Sequence, residues 1–463
     1  MNSIQRPADL GSFASQLADY TELRVQENRN THIALVNGDV VSNVRAARSG
    51  VSARSCVGGL WGFCSAPTAD GESIERTLQL ARKNAQLLAA REKREGWTLP
   101  TTRVEGAHDY GTKQERRSQK ELIEFLRQLD AQVQKSCPGL SSRTLVITCL
   151  DMEKTLLTST GSSAHSLTPR ALIYIEMTVM SEGAPISLMK SYGGLGHFED
   201  RFADPKELHA ELADQYEHTI KKSEGIYAEA GTKTCILAAD LAGILAHEAI
   251  GHTTEADFVR GGSVARHYLN ETVASPLVTL VDFAHTALGK TCPVPVHVDD
   301  EGTESRDVTI IEDGVLRRYM HNKETAAEFG HEPLGNARAY QFSDEPLIRM
   351  RNTAILPGQS KLDEMIASID DGYFLMKPGN GQADSTSEFM FAVTQGYEIK
   401  NGKLGRAIKD TTISGIAFDL LKTVEMVSGD MVWSAGGMCG KKQLIPVGMG
   451  GPAIKCSVTM GGK

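Results

Sequence analysis

At Thr234 the chain changes character, and this change constrains its fold more than any other feature. Before it, amphipathic helical stretches alternate with strand-like runs. After it comes a short apolar strand, then one strongly apolar helix, and beyond Phe258 mostly short strands and glycine turns. The pattern predicts an α+β protein: an N-terminal mixed α/β region followed by a strand-rich C-terminal domain that carries the apolar helix. At 463 residues the chain is too long for one ordinary core. The expected division is 1–228 and 229–463, with a sub-boundary in the charged, Pro- and Gly-containing connector near 92–113.

Within the first region, Asn37-Gly38-Asp39 should turn a hairpin between 32–36 and 40–44, because Asn-Gly tolerates positive φ. Gly58-Gly59 should turn a second, between 51–57 and 60–66. Asp70 can cap a helix with Ile74, Leu78, Ala81, Ala85 and Leu88 on one stripe. Leu122, Phe125, Leu126, Leu129 and Val133 mark a second helix, stopped at Pro138-Gly139. Strands are expected at 144–150, 155–159 and 171–180, and a third helix through Leu208, Leu212, Tyr216 and Ile220. The glycine cluster 193–196 lacks a full phosphate-binding fingerprint and reads as a flexible turn beside a strand.

In the second region the apolar helix follows a strand at 235–238. Asp240 is its expected cap, with Leu241, Ile244, Leu245 and Glu248 along one side. Asp313-Gly314 and Asn401-Gly402 signal hairpins, and 361–369 one more helix. A net charge of −9 with 23% charged residues suits a globular protein and gives no basic surface for nucleic acid. No run approaches the roughly 20 apolar residues that span a bilayer, and the first residues lack a secretory apolar core. A cytoplasmic location is expected. The eight cysteines form no CxxC pair, so most should be free thiols acting as small buried hydrophobes.

The sharpest chemical signal is His247-Glu248-Ala249-Ile250-Gly251-His252. Imidazoles are good zinc ligands, and a glutamate between them can take a proton from the water that a zinc site activates. The familiar spacing is HExxH, with both rings on one helical face. Here the separation is five, which in a regular helix puts the rings about 140° apart. A π turn would realign them, and Gly251 could ease that distortion. Alternatively, the helix ends at Gly251 and His252 comes from a loop. A catalytic zinc usually takes three protein ligands. Glu255, Asp257 and remote cysteines are the candidates, and Glu255 or Asp257 could instead orient a ligand from behind. Cys439 stands out in Gly436-Gly437-Met438-Cys439-Gly440-Lys441, a loop too rich in glycine for ordinary packing, where Lys441 would favour the thiolate.

The run from His247 to Asp257, HEAIGHTTEAD, resembles the HEAxGHxxExD signature of the TldD/PmbA family of metalloproteases. The similarity continues through Asp299-Asp300-Glu301-Gly302-Thr303, Gly381-Gln382 with Asp384, and Cys439-Gly440-Lys441. The loop pattern CGKxGQ is shortened here to Cys439-Gly440-Lys441-Lys442-Gln443. The resemblance implies a Zn2+ site of His247, His252 and Cys439, with Glu248 as catalytic base, in the TldD-like branch. It further implies peptide or unfolded-protein substrates and a dimer, formed with a TldE-like chain or with itself. Two other classes fit the same residues: a metal-binding regulatory subunit without proteolysis, and a zinc hydrolase of non-peptide amides.

Overall fold

Strand β1 (Tyr20–Val36) alternates Leu23 and Val25 with Glu22, Arg24, Gln26 and Asn28, which gives a sheet one apolar face and one polar face. In the computed structural model, which describes residues 10–92, 94 and 98–462, both faces are covered. Residues 1–9, which bear on a leader sequence, and four residues of the 92–113 connector lie outside the described residues.

The first sheet has seven strands. β2 (Asp39–Val57) and β3 (Leu60–Ala66) lie on one side of β1. β5 (Ser142–Thr158), β6 (Ser163–Ser181) and then β4 (Glu105–Asp109) lie on the other, with β7 (Ala184–Leu195) also paired to β6. β4 is parallel to β6 and comes from the expected connector, which is therefore partly ordered strand. The strands expected at 144–150 and 155–159 are one continuous strand, and β2 runs through both expected hairpins. The expected break falls at charged residues, yet Asp151 and Lys154 stay in register because partners from elsewhere bury them. Gly193 and Gly194 lie in β7 itself, and a Cβ on Gly193 would stand 2.2 Å from the Ala171 carbonyl.

Helices cover the apolar face. α1 (Gly71–Ala89) is capped by Asp70 and buries Ile74, Leu78, Ala81 and Ala85, while Leu88 is exposed. α2 (Gln119–Ser136) has a Ser118–Glu121 capping box and buries Leu122, Phe125, Leu126, Leu129 and Val133 against Ile33, Ile147 and Ile173.

The polar face meets the strand-rich half through buried hydrogen bonds. Gln26 and Asn28 both donate to the Tyr340 carbonyl, each at 2.6 Å, and Arg24 donates to the carbonyls of Gln341 and Asp344. Arg54 on β2 pairs with Glu22 at 3.0 Å and with Glu301, all three buried. Asp300 receives Lys154 at 2.6 Å. The 299–303 run is thus part of the seam between the two halves. Removing one partner of a buried ion pair typically costs about 3–5 kcal/mol, because the other charge stays buried alone. Arg54→Ala leaves two carboxylates in that position, so a fall in stability of this order is expected in urea unfolding, with little recovery in Arg54→Lys.

The second half contains a ring of five strands: Asp371–Ala383, Gly231–Leu237, Ile454–Met460, Thr411–Ile416 and Glu388–Lys400, the last pairing back to the first. A six-stranded sheet lies beside it. Between them runs the apolar helix, whose Leu241, Ala242, Leu245, Ala246, Ala249 and Ile250 are buried with Leu280, Ile310, Leu375, Phe391 and Val447. A helix apolar almost all round must be buried in this way. Its first residue is Ala239, and Asp240 is not its cap: no side chain caps it, and Asp240 pairs instead with Lys377. Among the described residues no helix is long and apolar enough to cross a membrane.

Candidate metal centre

The helix is regular over Ala239–Ile244 and then widens into a π turn over Leu245–Gly251. The His252 N–H donates to the His247 carbonyl five residues back, the bond that a π turn requires. The five-residue separation is thereby taken up inside the helix, and the two imidazoles come to face one point, their ring centroids 5.3 Å apart. Gly251 has an ordinary helical φ of −56°, so the π turn does not need its conformational freedom. It is needed for closeness: a Cβ there would lie 1.9 Å from Met350 Sδ. Thr253 and Thr254, both buried, close the turn by donating their hydroxyls to the carbonyls of Ile250 and Gly251, at 2.8 and 2.9 Å.

Cys439 arrives from 187 residues further along, on a two-residue pairing of Met438–Cys439 with Ile445–Pro446. Its Sγ lies 3.2 Å from His252 Nε2. Ligand atoms of His247, His252 and Cys439 all fall within 4.8 Å of one another. His247 and Cys439 are fully buried, whereas the side chains of His252 and Glu248 keep 18% and 21% exposure, so the centre opens on their side. Glu248 Oε2 stands 3.7 Å from His252 Nε2.

Glu255 is not beside the sulfur. It is fully buried, accepts from His252 Nδ1 at 2.9 Å and pairs with Lys441 Nζ at 3.1 Å, so it orients the ring from behind. Asp257 pairs with the same lysine at 2.7 Å and, among the described residues, with neither histidine. Lys441 is therefore spent on Glu255 and Asp257, and the thiolate draws its support elsewhere. Burial pushes the Cys439 thiol up, but the charges of His247 and His252 outweigh it and bring it down to about 3. Burial pushes His252 down, yet Glu255 and Cys439 hold it well above its ordinary value.

A zinc ion fits these residues. Neither ring nitrogen of buried His247 has a hydrogen-bond partner among the described residues, which is costly unless something else binds them. Two imidazoles and a thiolate are donors that zinc accepts. The protonation states make a further expectation. A histidine with a raised folded value contributes stability below its unfolded value and loses that contribution as pH rises through the folded one. A zinc ion held by these residues would displace this proton from His252 but none from Cys439. Affinity should therefore climb about tenfold per pH unit through neutrality. Titration of the metal-free protein checks this, and affinity constant between pH 6 and 8 would contradict it.

Arg349 escaped the sequence reading: buried in the strand-rich half, it donates to the Cys439 carbonyl at 2.8 Å. No local pattern marks it, because its partners are backbone atoms 90 and more residues away.

A helix with two histidines and a glutamate, joined by a distant cysteine, defines a class of hydrolytic metal centre. Comparison with known proteins agrees. The PmbA/TldA metallopeptidase C-terminal domain matches residues 230–462, and PmbA/TldA metallopeptidase domain 1 matches residues 21–85. The chain belongs to the TldD/PmbA family of metalloproteases. It is 36% identical over 262 residues to a zinc metalloprotease TldD homolog of Saccharolobus solfataricus, covering 56% of this chain and 57% of that one. It is 40% identical over 240 residues to a metalloprotease TldD homolog of Buchnera aphidicola, 51% of this chain and 49% of that one. These two matches thus span about half the length of each relative. A metalloprotease of Methanocaldococcus jannaschii matches end to end, at 28% identity over 96% of this chain and 97% of its own. The fold is shared with TldE from Thermococcus kodakarensis, with a TM-score of 0.75 at 17% identity over 97% of this chain and 98% of that one.

Proposed function

We propose that the chain is a zinc-dependent peptidase of the TldD-like branch, cleaving peptide bonds in unfolded proteins or short peptides. The observation that carries this reading is the meeting of His247, His252 and Cys439 at one point, with Glu248 on the open side. The three would hold the ion, through Nε2 in the case of His252, whose Nδ1 is taken by Glu255. When bound, zinc supplies Lewis acidity, polarising a carbonyl and acidifying water. Glu248 accepts the proton of the attacking water and returns it to the departing amine. Glu255 and Lys441 keep the His252 ring turned to the site, and buried His247 and Cys439 exclude solvent from its inner side. The relative named a zinc metalloprotease TldD homolog supports the choice of metal.

The strand-rich surroundings suit an extended substrate that adds to a sheet edge through backbone hydrogen bonds, which makes recognition weakly dependent on sequence. We place the protein in the cytoplasm, in a dimer with a TldE-like chain or with itself. We also propose that residues 229–463 form the peptidase domain. Degradation of an unfolded protein such as reduced casein tests the reading: cleavage should need zinc and stop with a chelator. Chelator-resistant cleavage, or zinc binding without cleavage of any unfolded substrate, would contradict it, the second outcome favouring a regulatory subunit.

A further inference from the structure

Three arginines from three separate places hold the segment that carries Cys439, and all hold it by its backbone. Arg170, on β6 of the first sheet, donates to the carbonyls of Ala435 at 2.9 Å and Gly437 at 3.3 Å. Arg349 donates to Cys439 at 2.8 Å, Lys441 at 3.0 Å and Gln443 at 2.9 Å. Arg338 donates to Pro446 at 2.8 Å and to Met350 at 2.6 Å. All three are more than nine-tenths buried, and none has an ion-pair partner among the described residues. Burying a guanidinium without a carboxylate is costly. Such a cost, met three times around one segment, calls for a compensating role.

The pattern of acceptors supplies that role. Met438–Cys439 pairs back onto Ile445–Pro446, and the chain between them bends, with Lys442 at a φ of +55° and the Gln443 N–H donating to the Lys441 carbonyl at 2.6 Å. The carbonyls of Cys439, Lys441 and Gln443 thus gather around Arg349 as the chain turns back, while Arg170 holds the approach at Ala435 and Gly437. The segment's other constraint is closeness, since a Cβ on Gly437 would lie 2.3 Å from the Val447 carbonyl. A loop so held cannot change its shape without breaking these bonds, and the sulfur of Cys439 stays 3.2 Å from His252 Nε2.

We propose that Arg349 is a positioning residue for the Cys439 sulfur, its planar fork fixing the carbonyls of Cys439, Lys441 and Gln443 so that the thiolate is preset to meet a metal held by His247 and His252. The arginines of the first sheet and of the second half, Arg170 and Arg338, pin the ends of the same segment. Lysine cannot replace Arg349, because a point charge on a flexible stem does not span three carbonyls. The proposal rests on the reading of Cys439 as a metal ligand.

The test uses the full-length protein loaded with zinc or with cobalt(II), whose thiolate charge-transfer absorption reports a sulfur ligand independently of activity. Arg349→Met and Arg349→Lys are expected to bind zinc about 10–100-fold more weakly, as when a residue supporting a ligand is lost. The cobalt–thiolate band should weaken in both. In a Cys439→Ala background, Arg349→Met should change zinc affinity no further, since the effect passes through the sulfur. Arg349→Lys keeps the buried charge and decides the matter if Arg349→Met does not fold. Zinc affinity within about twofold of wild type with an intact band would overturn the proposal. So would a loss that persists undiminished in the Cys439→Ala background. If Cys439→Ala alone keeps full zinc affinity, the underlying assignment of the cysteine fails instead.

Discussion

Glu248→Gln is expected to keep its zinc and lose about 10²–10⁴-fold of the proteolytic rate, the usual value of a positioned general base. The substitution preserves size and the capacity to hydrogen-bond, but an amide cannot accept the proton. Glu248 lies on the side where the centre opens to solvent, with 21% of its side chain exposed, so folding should be unaffected. The Michaelis constant should change little, because the lost interaction belongs to the transition state. Wild-type cleavage of unfolded substrate by this variant would mean that another group moves the proton.

Cys439→Ala is expected to cost metal and activity together. Two imidazoles alone hold zinc weakly, and the thiolate adds both charge and softness. Because His252 and Cys439 are 187 residues apart, the ion would tie the C-terminal segment to the central helix. Zinc should therefore raise the thermal stability of the wild-type protein, and Cys439→Ala should abolish most of that gain. A thousandfold weaker site loses about 4 kcal/mol of stabilisation at zinc concentrations about a thousandfold or more above the wild-type dissociation constant. Glu255→Gln makes the contrast: it takes the negative charge from the partner of His252 Nδ1 but leaves an oxygen to accept, and should cost no more than about 10–100-fold in affinity. Full zinc in Cys439→Ala, with zinc lost from Glu255→Gln, would move the third ligand to Glu255.

How much of this was legible depended on how local the cause was. The five-residue spacing of His247 and His252 already demanded either a π turn or a helix end, and the structure takes the π turn. The stripes of α1 and α2 were legible for the same reason, since each is set by its own periodicity and caps. What failed was long-range pairing of charge. Asp240 looked like a cap because its partner Lys377 lies 137 residues away. β5 looked like two strands because Asp151 and Lys154 are buried by residues from other elements. Lys441 looked like a counter-ion for the thiolate, but Glu255 and Asp257 take it. Cys439 itself was singled out by its glycine-rich loop, while its place beside the histidines came only from the family resemblance.

If the proposed site is right, His247, His252 and Cys439 together hold one zinc ion. X-ray absorption at the zinc edge of the stoichiometrically loaded protein tests it most directly. One sulfur neighbour at about 2.3 Å and nitrogen or oxygen neighbours at about 2.0–2.1 Å are expected, with the sulfur contribution gone in Cys439→Ala. A first shell of nitrogen and oxygen alone in the wild-type protein would contradict it.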